Sequence, residues 1–152
     1  MLAKDPRYWD DYEVGQRFDL GSTGFTADEI VAFARQFDPQ SFHVDAAAAE
    51  RSMFGGLIAS GWHVTSKLMR LFVDNYVDQR TALGSPGLDE IRWLKPVRPG
   101  DTLTAWVECA GKVPSKSRPD MGVVHEHWRA TNQKGELVLT VEGINMVRRR
   151  PA

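Results

Sequence analysis

A change of hydrophobic period partway along the chain restricts its fold more than any other feature. Leu103, Ala105, Val107 and Cys109 alternate with Thr102, Thr104, Trp106 and Glu108. That period of two belongs to a strand with one face on a core. Val138, Thr140 and Glu142 alternate in the same way against Leu137, Leu139 and Val141. Turn-forming clusters separate such runs: Pro99-Gly100-Asp101, the stretch from Pro114 to Gly122, and Asn132-Gln133-Lys134-Gly135. The last reads as a hairpin loop. The pattern predicts four long strands, at 88–95, 101–113, 123–131 and 136–147.

Upstream the period is helical. Thr26 and Glu29 have the spacing of a capping box, and Ile30, Phe33, Ala34 and Phe37 follow as one stripe. Asp38-Pro39 ends that helix, because proline pushes the residue before it out of helical geometry. A loop is expected to about Asp45, which can cap a short helix through Ala46 to Ala49. After Gly55-Gly56 the longest helix is expected over 60–76, roughly 24 Å at about 1.5 Å per residue. Trp62, Val64, Leu68, Met69, Leu71, Phe72 and Val73 make it apolar on most sides, so it should be buried. A first strand, broken by Gly21 and Gly24, is expected over 15–25. Helices gathered ahead of antiparallel strands imply an α+β class, with a long central helix wrapped by a curved sheet.

The 152 residues fit one domain, 1–152, with room for a core. Nineteen basic residues stand against 20 acidic ones, a net charge of −1, so no broad field attracts nucleic acid or an anionic membrane. No run of about 18 apolar residues suggests a membrane span. The polar start, with Pro6, lacks the apolar centre of a signal peptide. The lone Cys109 suits a reducing cytoplasm.

Two segments have the makings of a site. In Phe37-Asp38-Pro39-Gln40-Ser41-Phe42-His43, a turn can aim a carboxylate and an imidazole into one cleft. Sharing a water, such a pair can take one proton from it and return another. Asp38 as a plain turn former, with His43 bonded to the loop, is the competing reading. In Phe54-Gly55-Gly56-Leu57-Ile58-Ala59-Ser60-Gly61-Trp62, Gly61 opens the long helix, where free N–H groups stabilise developing negative charge. Close packing alone would also call for glycine there. His125-Glu126-His127 puts two imidazoles on one strand face, but lacks the spaced partners of a metal site.

With these segments, Gly84-Ser85-Pro86-Gly87 and the stretch from Trp93 to Asp101, the chain resembles the MaoC-like dehydratases, the group that includes (R)-specific enoyl-CoA hydratases. The similarity runs from Tyr12 to Val147. It implies a hot-dog fold, a homodimer or a dimer of dimers or trimer of dimers, no metal and no cofactor, with an acyl-CoA thioester as substrate. It implies Asp38 and His43 as the catalytic dyad and the Gly61 N–H as donor to the thioester carbonyl. The family's Asn-Pro before the histidine is replaced here by Asp38-Pro39-Gln40, with Gln40 in the asparagine's bonding role. Where the hydratases place a supporting serine within the helix, this chain aligns Met69, with Ser66 nearly a turn earlier. Phe42, Ser60, Trp62, His63 and Ser66 are the further expected substrate contacts, with Lys116 and Arg118 for the CoA phosphates. Arg92, Lys95 and Arg98 are alternatives for the latter. The same scaffold also serves acyl-CoA thioesterases and non-catalytic acyl-thioester binders, which stand as alternatives to hydration.

Overall fold

The computed structural model describes residues 5–152. A 3₁₀ turn at Trp9–Asp11 precedes β1 (Arg17–Gly24), α1 (Ala27–Phe37), α2 (Ser41–Val44), α3 (Ala46–Glu50) and α4 (Gly61–Asn75). Then come β2 (Gly87–Trp93), β3 (Thr102–Pro114), β4 (Met121–Thr131) and β5 (Leu137–Arg148). The strands pair antiparallel in the order β1-β3-β4-β5-β2. The sheet wraps α4, whose Val64, Leu68 and Phe72 are buried against it. Phe72 stacks on Trp128 of β4, their ring centroids 4.2 Å apart. This is the α+β hot-dog architecture.

Local chemistry sets the ends of the elements. Thr26 and Glu29 form the expected reciprocal cap, with Glu29 N–H donating to Thr26 Oγ1 at 3.2 Å and Thr26 N–H to Glu29 Oε2 at 3.1 Å. Asp45 Oδ1 accepts from the Ala48 N–H at 3.0 Å and starts α3. In the β4–β5 hairpin, Asn132 Oδ1 accepts from the Lys134 and Glu136 N–H groups, each at 3.0 Å. Leu103, Ala105, Val107 and Cys109 all face the core, as their alternation requires. Removing one such leucine-sized side chain from water is worth roughly 1.5–3 kcal/mol.

The structure departs from the sequence expectations in four places. β1 is bent rather than broken: its pairing with β3 shifts between Asp19 and Gly21, where Gly21 takes φ +89°, and then continues to Gly24. In β5 the pairing shifts where Ala130 faces Leu139 and Thr131 faces Leu137, leaving Val138 as the additional residue. Val138 and Leu139 are therefore both buried while Leu137 is exposed, against the strict alternation expected. Ser41–Val44 forms a turn of helix where a loop was expected. Finally, α4 is not covered all round in one chain, for Trp62 is 56% and Met69 42% exposed. Among the described residues, no helix is long and apolar enough to cross a membrane.

Candidate active site

α1 ends at Phe37, and Asp38 is its C-cap, with φ −152° and ψ 67°. The extended backbone at Gln40 then starts α2, which carries Phe42 and His43 inward. His43 is buried, and its Nδ1 lies 2.7 Å from the Ile58 carbonyl oxygen. A carbonyl only accepts, so Nδ1 carries the proton and Nε2 is turned toward Asp38. Nε2 lies 3.3 Å from Asp38 Oδ2.

Two more groups hold the carboxylate. Ser60 Oγ donates to Oδ2 at 2.7 Å and Gln40 Nε2 donates to Oδ1 at 2.8 Å. Burial alone would raise the Asp38 pKa, but the hydrogen bonds from Ser60 and Gln40 and the charge of His43 outweigh it, holding the carboxyl below its ordinary value.

His43 and Gly61 both line a cavity of about 420 Å³, whose walls also include Phe42, Trp93, Lys95 and Val138. That volume lies within the range of small-molecule sites. Backbone bonds tie the enclosing segments together: Ile58 N–H to the Phe42 carbonyl at 3.2 Å, and Ala59 N–H to the Val97 carbonyl at 2.8 Å. Arg98 Nη2 donates to the Phe54 carbonyl at 2.5 Å and fixes the loop ahead of α4.

No side chain caps the start of α4. Its first N–H groups therefore lack the usual Ser or Thr partner. Gly61 has a second role in packing, because a Cβ there would lie 2.5 Å from Cε2 of the Trp93 indole. Trp93 is itself held by its Nε1 donating to Thr65 Oγ1 at 3.1 Å.

The other expected contacts scatter. Phe42 is a wall residue; Ser60 and Gln40 instead bond to Asp38. Trp62 lies outside the cavity, edge to face on Trp93 at 5.3 Å. His63 is buried elsewhere, stacked on Phe33 at 4.8 Å; burial and then Lys67 push its pKa down. Ser66 Oγ donates to the Trp62 carbonyl on an exposed face. Lys116 and Arg118 lie on the exposed β3–β4 connection, away from the cavity wall, with Arg118 paired to Asp120 at 2.9 Å. Lys95 lines the cavity and pairs with Glu136, while Arg92 pairs with Glu90 at 2.7 Å. His125 and His127 lie on the half-buried outer face of β4, with His127 3.9 Å from Glu142. Trp93, Leu94, Pro96 and Val97 are wall residues that residue-by-residue reasoning did not single out; their signal was the segment match at 93–101.

The fold and these groups define a hot-dog domain with a carboxylate–imidazole pair beside an uncapped helix start. Residues 11–130 match the MaoC like domain family model, and the chain belongs to that family. Its structure is similar to a MaoC-like dehydratase from Rhodospirillum rubrum, with a TM-score of 0.89 and 41% identity, covering 96% of this chain and 99% of that one. It is 30% identical over 125 residues to the uncharacterized protein YdeM of Bacillus subtilis, covering 82% of this chain and 87% of that protein. It is also 28% identical over 128 residues to the beta-methylmalyl-CoA dehydratase of Chloroflexus aurantiacus, covering 83% of this chain and 36% of that protein. The chain thus spans about a third of that dehydratase's length.

Proposed function

We propose that this protein reversibly hydrates an enoyl thioester, as an (R)-specific enoyl-CoA hydratase. The observation that carries this reading is the 3.3 Å approach of Asp38 Oδ2 and His43 Nε2, with His43 and Gly61 in the wall of one cavity. Membership of the MaoC-like family supports hydro-lyase chemistry on CoA thioesters, the class named for the Chloroflexus dehydratase. The (R) outcome follows the resemblance to the (R)-specific hydratases.

On this reading the thioester carbonyl points at the first N–H groups of α4. They stabilise the enolate charge that develops as water attacks Cβ. Asp38 and His43 share that water, which bridges Oδ2 and Nε2 from one side of the pair. Asp38, kept ionised by Ser60 and Gln40, removes a proton from the water as its oxygen bonds to Cβ. That proton passes from Asp38 through His43 Nε2 to Cα on the same face, which restores both groups, and dehydration is the microscopic reverse. The thioester is the substrate, and the scheme draws on no cofactor.

The test is loss of the enoyl-thioester ultraviolet absorbance, run beside a free-thiol assay with crotonyl-CoA. Absorbance loss without thiol is expected. Asp38→Asn and His43→Ala should each lower kcat by at least about 100-fold, the range of general acid–base catalysis, with thermal unfolding retained. Thiol release would assign hydrolysis instead, and neither signal would leave a thioester binder. Near-wild-type turnover in either variant would remove the dyad.

A further inference from the structure

A serine at a helix N-cap ordinarily turns its oxygen toward the N–H of the second or third helical residue. Ser60 is the N-cap of α4, yet its side chain makes no such bond. Its hydroxyl instead donates to Asp38 Oδ2 at 2.7 Å, and the residue is completely buried. We infer that Ser60 is a positioning residue that locks Asp38 beside His43 and, by the same rotation of its side chain, leaves the start of α4 uncapped for the substrate.

This inference rests on the reading of Asp38 and His43 as the reacting pair. The backbone is fixed at Ser60 and at the residue before it. The Ala59 N–H bonds to the Val97 carbonyl at 2.8 Å, and the Ser60 carbonyl accepts from the Val64 N–H at 3.1 Å. The hydroxyl therefore projects from a rigid point at the helix start. It ties the carboxylate at the end of α1 to the N–H groups 22 residues later in sequence. Gln40 also bonds the carboxylate, but from an exposed position where water competes for the same oxygen. The buried bond from Ser60 is the one that fixes the geometry. The groups acting on Asp38 are these two donors and the His43 imidazole. An N-cap side chain rotated back toward the helix would withdraw support from Asp38 and occupy the donors that face the thioester.

The experiment follows the Asp38 carboxyl directly, by ¹³C NMR titration of aspartate-labelled protein, with Asp38→Asn giving the assignment. In Ser60→Ala the Asp38 midpoint should move to higher pH, while in Ser60→Thr, which retains the hydroxyl, it should stay. Gln40→Ala should move it less than Ser60→Ala. With crotonyl-CoA, Ser60→Ala should lose roughly tenfold in kcat, the scale of one hydrogen bond to a charged group, with KM changed by less than about twofold. The acid limb of its pH–rate profile should shift upward with the carboxyl. An unmoved Asp38 midpoint in folded Ser60→Ala overturns the assignment, whatever the turnover. Absence of hydration by the wild-type protein overturns the reaction instead, and the carboxyl titration still decides the role of Ser60.

Discussion

Glu126 is an ionisable residue that the proposed reaction does not use. It sits at the other end of α4 from Asp38, 1% exposed, in a small cavity also lined by Tyr12 and Tyr76. Its Oε2 accepts from Trp128 Nε1 at 3.3 Å and from Asn145 Nδ2. Burial outweighs these donors and pushes its pKa up to about 7, from an ordinary 4.5. Below about pH 4.5 the carboxyl is protonated in both folded and unfolded chains. Between there and about 7 only the folded state keeps its proton, so stability falls as pH rises, by about 3 kcal/mol in all. His63 acts in the opposite sense, since its lowered pKa makes stability fall as pH drops through the ordinary histidine range. The two separate by subtraction. Denaturant unfolding of Glu126→Gln, measured against wild type from pH 5 to 8, should give a difference that favours the variant progressively with pH. A difference independent of pH would mean that Glu126 stays ionised throughout.

Most elements were legible because their signals are local. The Thr26–Glu29 box, the Asp45 cap and the Asn132–Gly135 turn each act within a few residues, and α4 lies within its expected span, 60–76. The Asp38 and His43 segment was readable for the same reason. What escaped was set by partners distant in sequence. The extra residue at Val138 exists only relative to β4, and α2 is too short for any period to show. Ser60 looked like a substrate contact because nothing in the sequence places it beside Asp38. Trp93 was part of a readable motif, but its seat over Gly61 comes from pairing β2 with β5. That seat gives a prediction at the level of the helix start. Gly61→Ala, at the first position of α4, gains at most about 1 kcal/mol of helix propensity but drives a Cβ into the indole, an overpacking cost of about 1–3 kcal/mol. Chemical denaturation should therefore show net destabilisation in the wild-type background and a gain in the Trp93→Ala background. Equal effects in both would mean that the indole swings away freely and that glycine is there for another reason.

At the scale of the whole molecule, the α+β class was legible from the change of period, but the sequence made α4 look buried on nearly every side. One chain does not bury it so. Trp62 remains 56% and Trp93 44% exposed, packed edge to face on each other, with Leu94 at 47% and Leu88 at 39%. Leu88 and Trp93 belong to β2, which is an edge of the sheet. An apolar face beside an open strand edge is a standing liability for a lone chain, exposing both unpaired backbone groups and aromatic surface. A second copy of the chain removes both at once, and a two-fold contact uses the same patch on each side. A homodimer is therefore expected in solution, burying at least about 1,000 Å² with the tryptophans at its centre. Sedimentation velocity should give a dimer for the wild-type protein. Trp62→Arg, which places a charge where the face must desolvate, should shift it toward monomer without lowering its helical content by circular dichroism. Trp93 lines the cavity proposed as the active site while touching Trp62, so the same variant should lose the proposed activity in step with dimer as concentration falls. A wild-type monomer at micromolar concentration, or a fully active monomeric variant, would mean that this aromatic face serves the cavity alone.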